Sequence, residues 1–373
     1  MSLVLSHTTA YCYYQTVARP EQQAQVWAEP SAASGEAFEA GPPSKKLVST
    51  ARRLLAAYGV PSDELGVIDV LVASQKDRRT RRDVVCHLYR NGAGGISEAV
   101  VRHIFGEIYV VGVPLCALQA AERMSFRECV EYYYELCGCY RMPLDSGESY
   151  VECRPATSVE ELCDFFAANS GARGVANARR AIEYVRNGAR SPMETALIMM
   201  IVMPKKEGGL GIRGVEMDYR IPVSRQASRL TRSRNLYCDI FVPSAGLTIE
   251  YGGRVHEEMH RRARDNERTN ALRAMGYDVI DVSRENLFDR DGFERTIAAV
   301  GKKVGVRPSR LPRDFAERQE DLRQFVLRRW LGASEEVPPE LGRGRGGGGG
   351  AAGAGTGAES SGADPFGDDW MSY

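Results

Sequence analysis

Two carboxylates offer the most specific chemistry in this chain. Asp239 and Glu250 stand on apolar runs either side of Pro243-Ser-Ala-Gly246. Apolar runs around a Pro/Gly turn read as a β-hairpin. In a hairpin symmetric about Ser244 and Ala245, Asp239 faces Glu250, with Cβ atoms about 4.5–5.5 Å apart on one face. Opposed carboxylates repel unless something compensates. A divalent cation is one compensation, because hard cations take carboxylate oxygens. Arginines on a solvated face are the other, and both readings stay open here.

Further polar residues follow. Gly252-Gly253 after Glu250 permits close approach of backbone or substrate. His256 stands at the entry to a helix carrying Asp265 and Arg268. His260 follows one turn later as a weaker partner for the same role. The strand–helix–strand order implies a crossover and a parallel neighbour strand. Asp239, Glu250 and His256 would then meet at one edge of a mixed sheet. Ser191-Pro-Met-Glu194 has two readings. It is a capping box with proline at the first helical position, or a helix start aiming Glu194 at the same cation.

These residues need elements to position them. Residues 1–44 read as a poorly patterned N-terminal arm, and 45–150 as a small α+β domain with no catalytic signature. Residues 151–190 read as a helical connector, 191–332 as the unit with the hairpin, and 333–373 as a Gly-rich acidic tail. Ser125-x-x-Glu128 marks a helix start. Helices are expected over Val159–Ala168, Gly174–Arg186 and Ser191–Met203, then a polar, arginine-rich stretch to Asn235. Strands are expected over Leu236–Val242, Gly246–Tyr251 and Asp278–Val282. The fold class is α/β (α+β).

In order, these residues resemble the PD-(D/E)XK nuclease superfamily. The closer likeness is to the very-short-patch-repair-like endonucleases and their domain-of-unknown-function 559 branch. There, a helix beginning S-P-x-E precedes an Asp-bearing strand, a strand ending E-x-(D/G)-G, a nearby His and a helix with D-x-x-R. The matching residues are Ser191-Pro-Met-Glu194, Asp239, Glu250-Tyr-Gly-Gly253, His256 and Asp265-Asn-Glu-Arg268. The likeness covers about residues 185–300.

The resemblance implies a restriction-endonuclease-like mixed sheet flanked by helices, and metal-dependent hydrolysis of DNA phosphodiester bonds. It implies Mg²⁺ or Mn²⁺ on Asp239 and Glu250 with Glu194 as an outer ligand. His256 becomes the general base or acid, and Asp265 and Arg268 support the site. The superfamily lysine, two residues after the acid, falls at Gly252; the closer group lacks that lysine too.

A nuclease must also hold DNA. Arg220, Arg225, Arg229, Arg232 and Arg234 lie between Tyr219 and Asn235 with no acid among them. Guanidinium groups suit phosphate contacts. The chain totals 49 Lys+Arg and 49 Asp+Glu, a net charge of zero. From Ala333 onward seven carboxylates face two arginines, a net −5, which leaves +5 on residues 1–332. Neutrality therefore does not exclude DNA as partner. The acidic tail could cover the basic face or meet a protein partner. A homodimer stays open.

Other classes are disfavoured. The chain is 43% hydrophobic, with no run long enough to span a membrane. Nine cysteines, an odd count without a CxxC pair, point to a reducing cytoplasm and no structural zinc. Gly209-Leu-Gly-Ile-Arg-Gly214 fits GxGxxG but lacks a preceding strand. The runner-up function is a non-catalytic DNA-binding or regulatory protein on a degenerate nuclease fold, tied to phage defence or toxin–antitoxin control. A third is an interaction scaffold presenting the tail.

Overall fold

The computed structural model describes residues 2–16, 37–38, 40–79, 81–89, 96–97, 100–144, 150–252 and 259–331, with side chains in all of these except 37–38, 96–97 and 259–265. Helices and strands are mixed along the chain, and residues 1–334 make one compact unit. The strands are β1 (Leu3–Leu5), β2 (Ala37–Phe38), β3 (Ile68–Val72), β4 (Val84–Leu88), β5 (Ile96–Ser97), β6 (Val101–Phe105), β7 (Ile108–Val111), β8 (Tyr140–Arg141), β9 (Val151–Glu152), β10 (Glu216–Pro222), β11 (Asn235–Val242), β12 (Leu247–Gly252) and β13 (Asp278–Ser283). The helices are α1 (His7–Thr16), α2 (Lys45–Ala57), α3 (Val113–Ala120), α4 (Phe126–Cys137), α5 (Val159–Ala168), α6 (Val175–Ile182), α7 (Pro192–Val202), α8 (Met259–Ala274), α9 (Arg284–Phe288), α10 (Arg290–Lys303) and α11 (Phe315–Leu331).

A five-stranded mixed sheet has the order β4-β3-β1-β7-β6. Its centre corrects the reading of residues 1–44 as an arm. Leu3–Leu5 is fully buried between β3, antiparallel, and β7, parallel. His7–Thr16 then forms a largely buried helix. Three residues are too few to show a period, so only the neighbouring strands reveal this one. Residues 17–36 lie outside those described.

The second sheet, order β10-β11-β12-β13, carries the two acids. The hairpin forms as expected, with Ile240 opposite Ile249, Phe241 opposite Thr248 and Val242 opposite Leu247. Gly246 closes the turn at φ 54, a left-handed conformation that glycine adopts without a Cβ clash. The anticipated strand–helix–strand brings β13 parallel to β12. β10 was not foreseen. It lies in the stretch read as polar and arginine-rich, and pairs antiparallel with β11.

Both faces of this sheet are covered. Ile240, Val242, Leu247 and Ile249 join a buried cluster that is continuous from Leu3 to Trp330. Leu236, Cys238 and Phe241 pack with Ala271 and Leu272 of α8 in a second cluster. α7 is central to the first. Ser191 caps it, Pro192 opens it, and every residue from Pro192 to Val202 is buried. A helix apolar on all sides needs neighbours all round; α4 and α11 are two of them.

Candidate functional site

Four acids, one per strand, cross the second sheet at one level. The β10–β11 register pairs Met217 with Ile240 and Tyr219 with Cys238, which brackets Asp218 and Asp239. The β11–β12 register reaches Ile240 and Ile249, so Asp239 and Glu250 come next. Glu250 pairs with Asp281 of β13. Like charges on neighbouring strands destabilise a sheet, and each acid is accommodated differently.

The outer two are accommodated simply. Asp281 is exposed, so water screens it. Asp218 receives Arg190 Nη2 at 2.9 Å. Its backbone sits at φ 46, uncommon for a residue with a side chain. Such strain tends to gather at functional sites.

The inner two are largely buried. Asp239 Oδ2 accepts the Tyr251 amide at 2.8 Å, so the side chain bridges β11 to β12. Burial raises its pKa above the usual carboxylate range. Glu250 is 7% exposed. Its Oε2 receives Arg268 Nη2 at 2.6 Å, and the same guanidinium nitrogen donates to the Tyr237 carbonyl. Its Oε1 is buried and makes no hydrogen bond of ordinary geometry, with the Cys238 thiol and the Asp239 amide the other donors acting on this carboxylate. Burial pushes the Glu250 pKa up to about 7; Arg268 pulls it down and Asp239 adds to the rise. A buried oxygen left unsatisfied costs about 1–3 kcal/mol, more for a charged group.

Glu194 closes the group from α7. Both readings of Ser191-Pro-Met-Glu194 bear on one side chain. Ser191 Oγ accepts the Glu194 amide at 3.2 Å and donates to Glu194 Oε1 at 2.9 Å, while the Arg190 amide donates to Oε2 at 2.9 Å. The N-cap role is therefore realised. Yet burial pushes the Glu194 pKa up to about 7, with the Asp239 charge the next cause. Glu194 thus senses Asp239 electrostatically while both its oxygens are held locally.

No protein-family model, curated protein or solved structure matches this chain. The site's meaning therefore rests on its own geometry. Among the described residues no group of three or more His, Cys, Asp or Glu side chains is arranged to hold a metal ion. The free capacity lies in two carboxylates, at Glu250 Oε1 and the unshared positions of Asp239. A cation fits that donor chemistry, since it would satisfy the orphaned oxygen and reverse the penalty on ionising Asp239 and Glu250.

His256 and the side chain of Asp265 lie outside the described residues. Arg268 is placed, and it touches Glu250 directly rather than from a distance. The five arginines assigned to DNA are all exposed. Arg220 lies on the edge strand β10, and Arg225, Arg229, Arg232 and Arg234 fill the loop to β11. None of the five has an ion-pair partner among the described residues.

Asp218 and Arg190 were missed by the sequence reading. The signal was Met217-x-Tyr219-x-Ile221, an alternation obscured by the arginines that follow. Arg190 looked like a linker residue until its neighbours placed it at the N-terminus of α7.

Proposed function

We propose that this chain is a divalent-cation-dependent DNA endonuclease, with Asp239 and Glu250 holding Mg²⁺ or Mn²⁺. The observation that carries this reading is the buried, unpartnered Glu250 Oε1 beside the half-satisfied Asp239. Glu250 is buried and paired with Arg268 through Oε2 alone, which leaves Oε1 without a counter-charge of its own.

The chain's own residues divide the work. Arg268 fixes the Glu250 carboxylate by one oxygen and leaves the other directed elsewhere. The Tyr251 amide does the same for Asp239. Glu194, locked by Ser191 and the Arg190 amide, borders Asp239 as an outer acid. His256, assigned from sequence, is the proton-transfer group near neutral pH. When bound, the cation would lower the pKa of coordinated water and stabilise charge on the phosphoryl oxygens. The arginines from Arg220 to Arg234 hold the phosphate backbone. The ordered likeness to PD-(D/E)XK enzymes of the very-short-patch-repair-like group supports the same reading. Nine free thiols support a reducing, cytoplasmic setting. No helix among the described residues is long and apolar enough to cross a membrane.

Two observations favour a second reading. Arg268 already neutralises part of Glu250, and Gly252 stands where the superfamily lysine would orient the attacking water. This is what a DNA-binding protein on a degenerate nuclease fold would show. Plasmid cleavage with Mg²⁺ or Mn²⁺ separates the two. The endonuclease reading requires nicking by the wild type that is lost in Asp239→Ala and in Glu250→Ala. DNA binding with no nicking at any metal concentration selects the second reading.

A further inference from the structure

The five-stranded sheet carries a polar cleft that the nuclease reading does not use. Its volume is about 460 Å³. His7 and His87 stack there with ring centroids 3.5 Å apart and planes 18° apart. His87 Nε2 lies 2.6 Å from Oδ1 of the buried Asp69. His7 is buried where β1 turns into α1, at φ 49, and its amide donates to Gln119 Oε1 at 2.9 Å. A non-glycine residue in that conformation persists only where its surroundings impose it. Burial, then the facing His87, lowers the His7 pKa to about 3, so this ring stays neutral.

Two guanidinium groups line the same cleft. Arg78 and Arg173 are exposed and come from different parts of the chain, the segment before β4 and the loop after α5. Neither has a carboxylate partner among the described residues. Glu122 also lines the cleft. Its charge discourages a chain of several phosphates but leaves room for one phosphate held by two arginines.

This combination selects a ligand chemistry. Arginine forks bind phosphate oxygens bidentately. His87, fixed by Asp69, presents a ring nitrogen to a polar body. Cavities of about 300–1,000 Å³ suit small organic ligands. We propose that this cleft binds a phosphate-bearing small molecule of mononucleotide size, with Arg78 and Arg173 on the phosphate and His87 on the remainder. It is a second site, built on different strands from Asp239 and Glu250, and stands whether or not the chain cuts DNA.

Calorimetric titration of the full chain tests this, using 5′-mononucleotides, the matching nucleosides and inorganic phosphate in separate runs. At least one mononucleotide should saturate a single site, and its nucleoside should bind about tenfold more weakly or less, because the charge-assisted contacts are lost. The Arg78→Ala/Arg173→Ala variant should lose a similar factor; both residues are exposed and have no ion-pair partner among the described residues, so folding should be unaffected. Binding should persist unchanged in Asp239→Ala and Glu250→Ala. Absence of saturable binding by any mononucleotide overturns the proposal. So does undiminished affinity in the double arginine variant, or inorganic phosphate binding as tightly as every mononucleotide.

Discussion

Arg268 holds Glu250 by a single oxygen, at 2.6 Å, and leaves the other oxygen buried without a partner. The pair is lopsided. A guanidinium able to chelate both carboxylate oxygens shares its nitrogen with the Tyr237 carbonyl instead. The half-used carboxylate is what the cation reading builds on.

Removing Arg268 should expose this dependence. Arg268→Ala leaves a buried acid without its counter-charge, and breaking a buried pair costs about 3–5 kcal/mol. Urea unfolding without metal should show a loss of that order. Added Mg²⁺ should then restore more stability to the variant than to the wild type. Equal Mg²⁺ responses would show that no cation reaches Glu250.

Metal-free stability should fall as pH rises toward neutrality. Glu194 and Glu250 each have a folded-state pKa raised to about 7, well above the ordinary value. Between the unfolded and folded values the native state binds more protons than the unfolded chain. The two glutamates therefore lower stability with rising pH across roughly pH 4.5 to 7, by about 3 kcal/mol each at about 1.4 kcal/mol for each pKa unit. His7, its pKa lowered to about 3, opposes them with one group against two below about pH 6.5, so the net slope stays downward. Denaturation midpoints at pH 5 and pH 7.5 check the sign. Glu250→Gln should flatten the slope, and a stability that rises over this window would contradict the assigned shifts.

Gly252 can accept a longer side chain. Among the described residues a Cβ there would meet only the Val282 carbonyl oxygen, at 3.9 Å. Gly252→Lys should therefore fold normally and, if the missing ammonium limits water orientation, cleave plasmid faster than the wild type by about 10²-fold at most, the low end for general acid–base assistance. Unchanged nicking by a folded Gly252→Lys protein would show that the residue does not limit the rate.

The arginine loop should be read through salt. Replacing Arg229 and Arg232 by alanine should weaken DNA binding and reduce the slope of log affinity against log salt by roughly 2, near 0.9 for each lost phosphate contact. Fluorescence anisotropy over a salt series measures it. A slope equal to that of the wild type would place these two side chains off the DNA.

Local chemistry was legible in the sequence. Pro243 to Gly246 between apolar runs set the hairpin and its register, because a short turn leaves few ways to align two strands. Ser191-Pro-Met-Glu194 marked the start of α7, because the capping hydrogen bonds join residues three apart. The apolar run behind it made that helix buried on every side.

Only tertiary structure decided the rest. Leu3–Leu5 is central because β3 and β7, far along the chain, supply its hydrogen bonds. Asp218 and Arg190 reach the acidic row through β10, whose alternation was hidden among arginines. Whether Glu250 is satisfied depends on Arg268 and on burial, and neither appears in the spacing of Asp239 and Glu250. The sequence supplied the acids and the turn that sets them face to face. Packing decided which of their oxygens were left without a partner, because desolvation and long-range hydrogen bonds exist only once the chain has closed on itself.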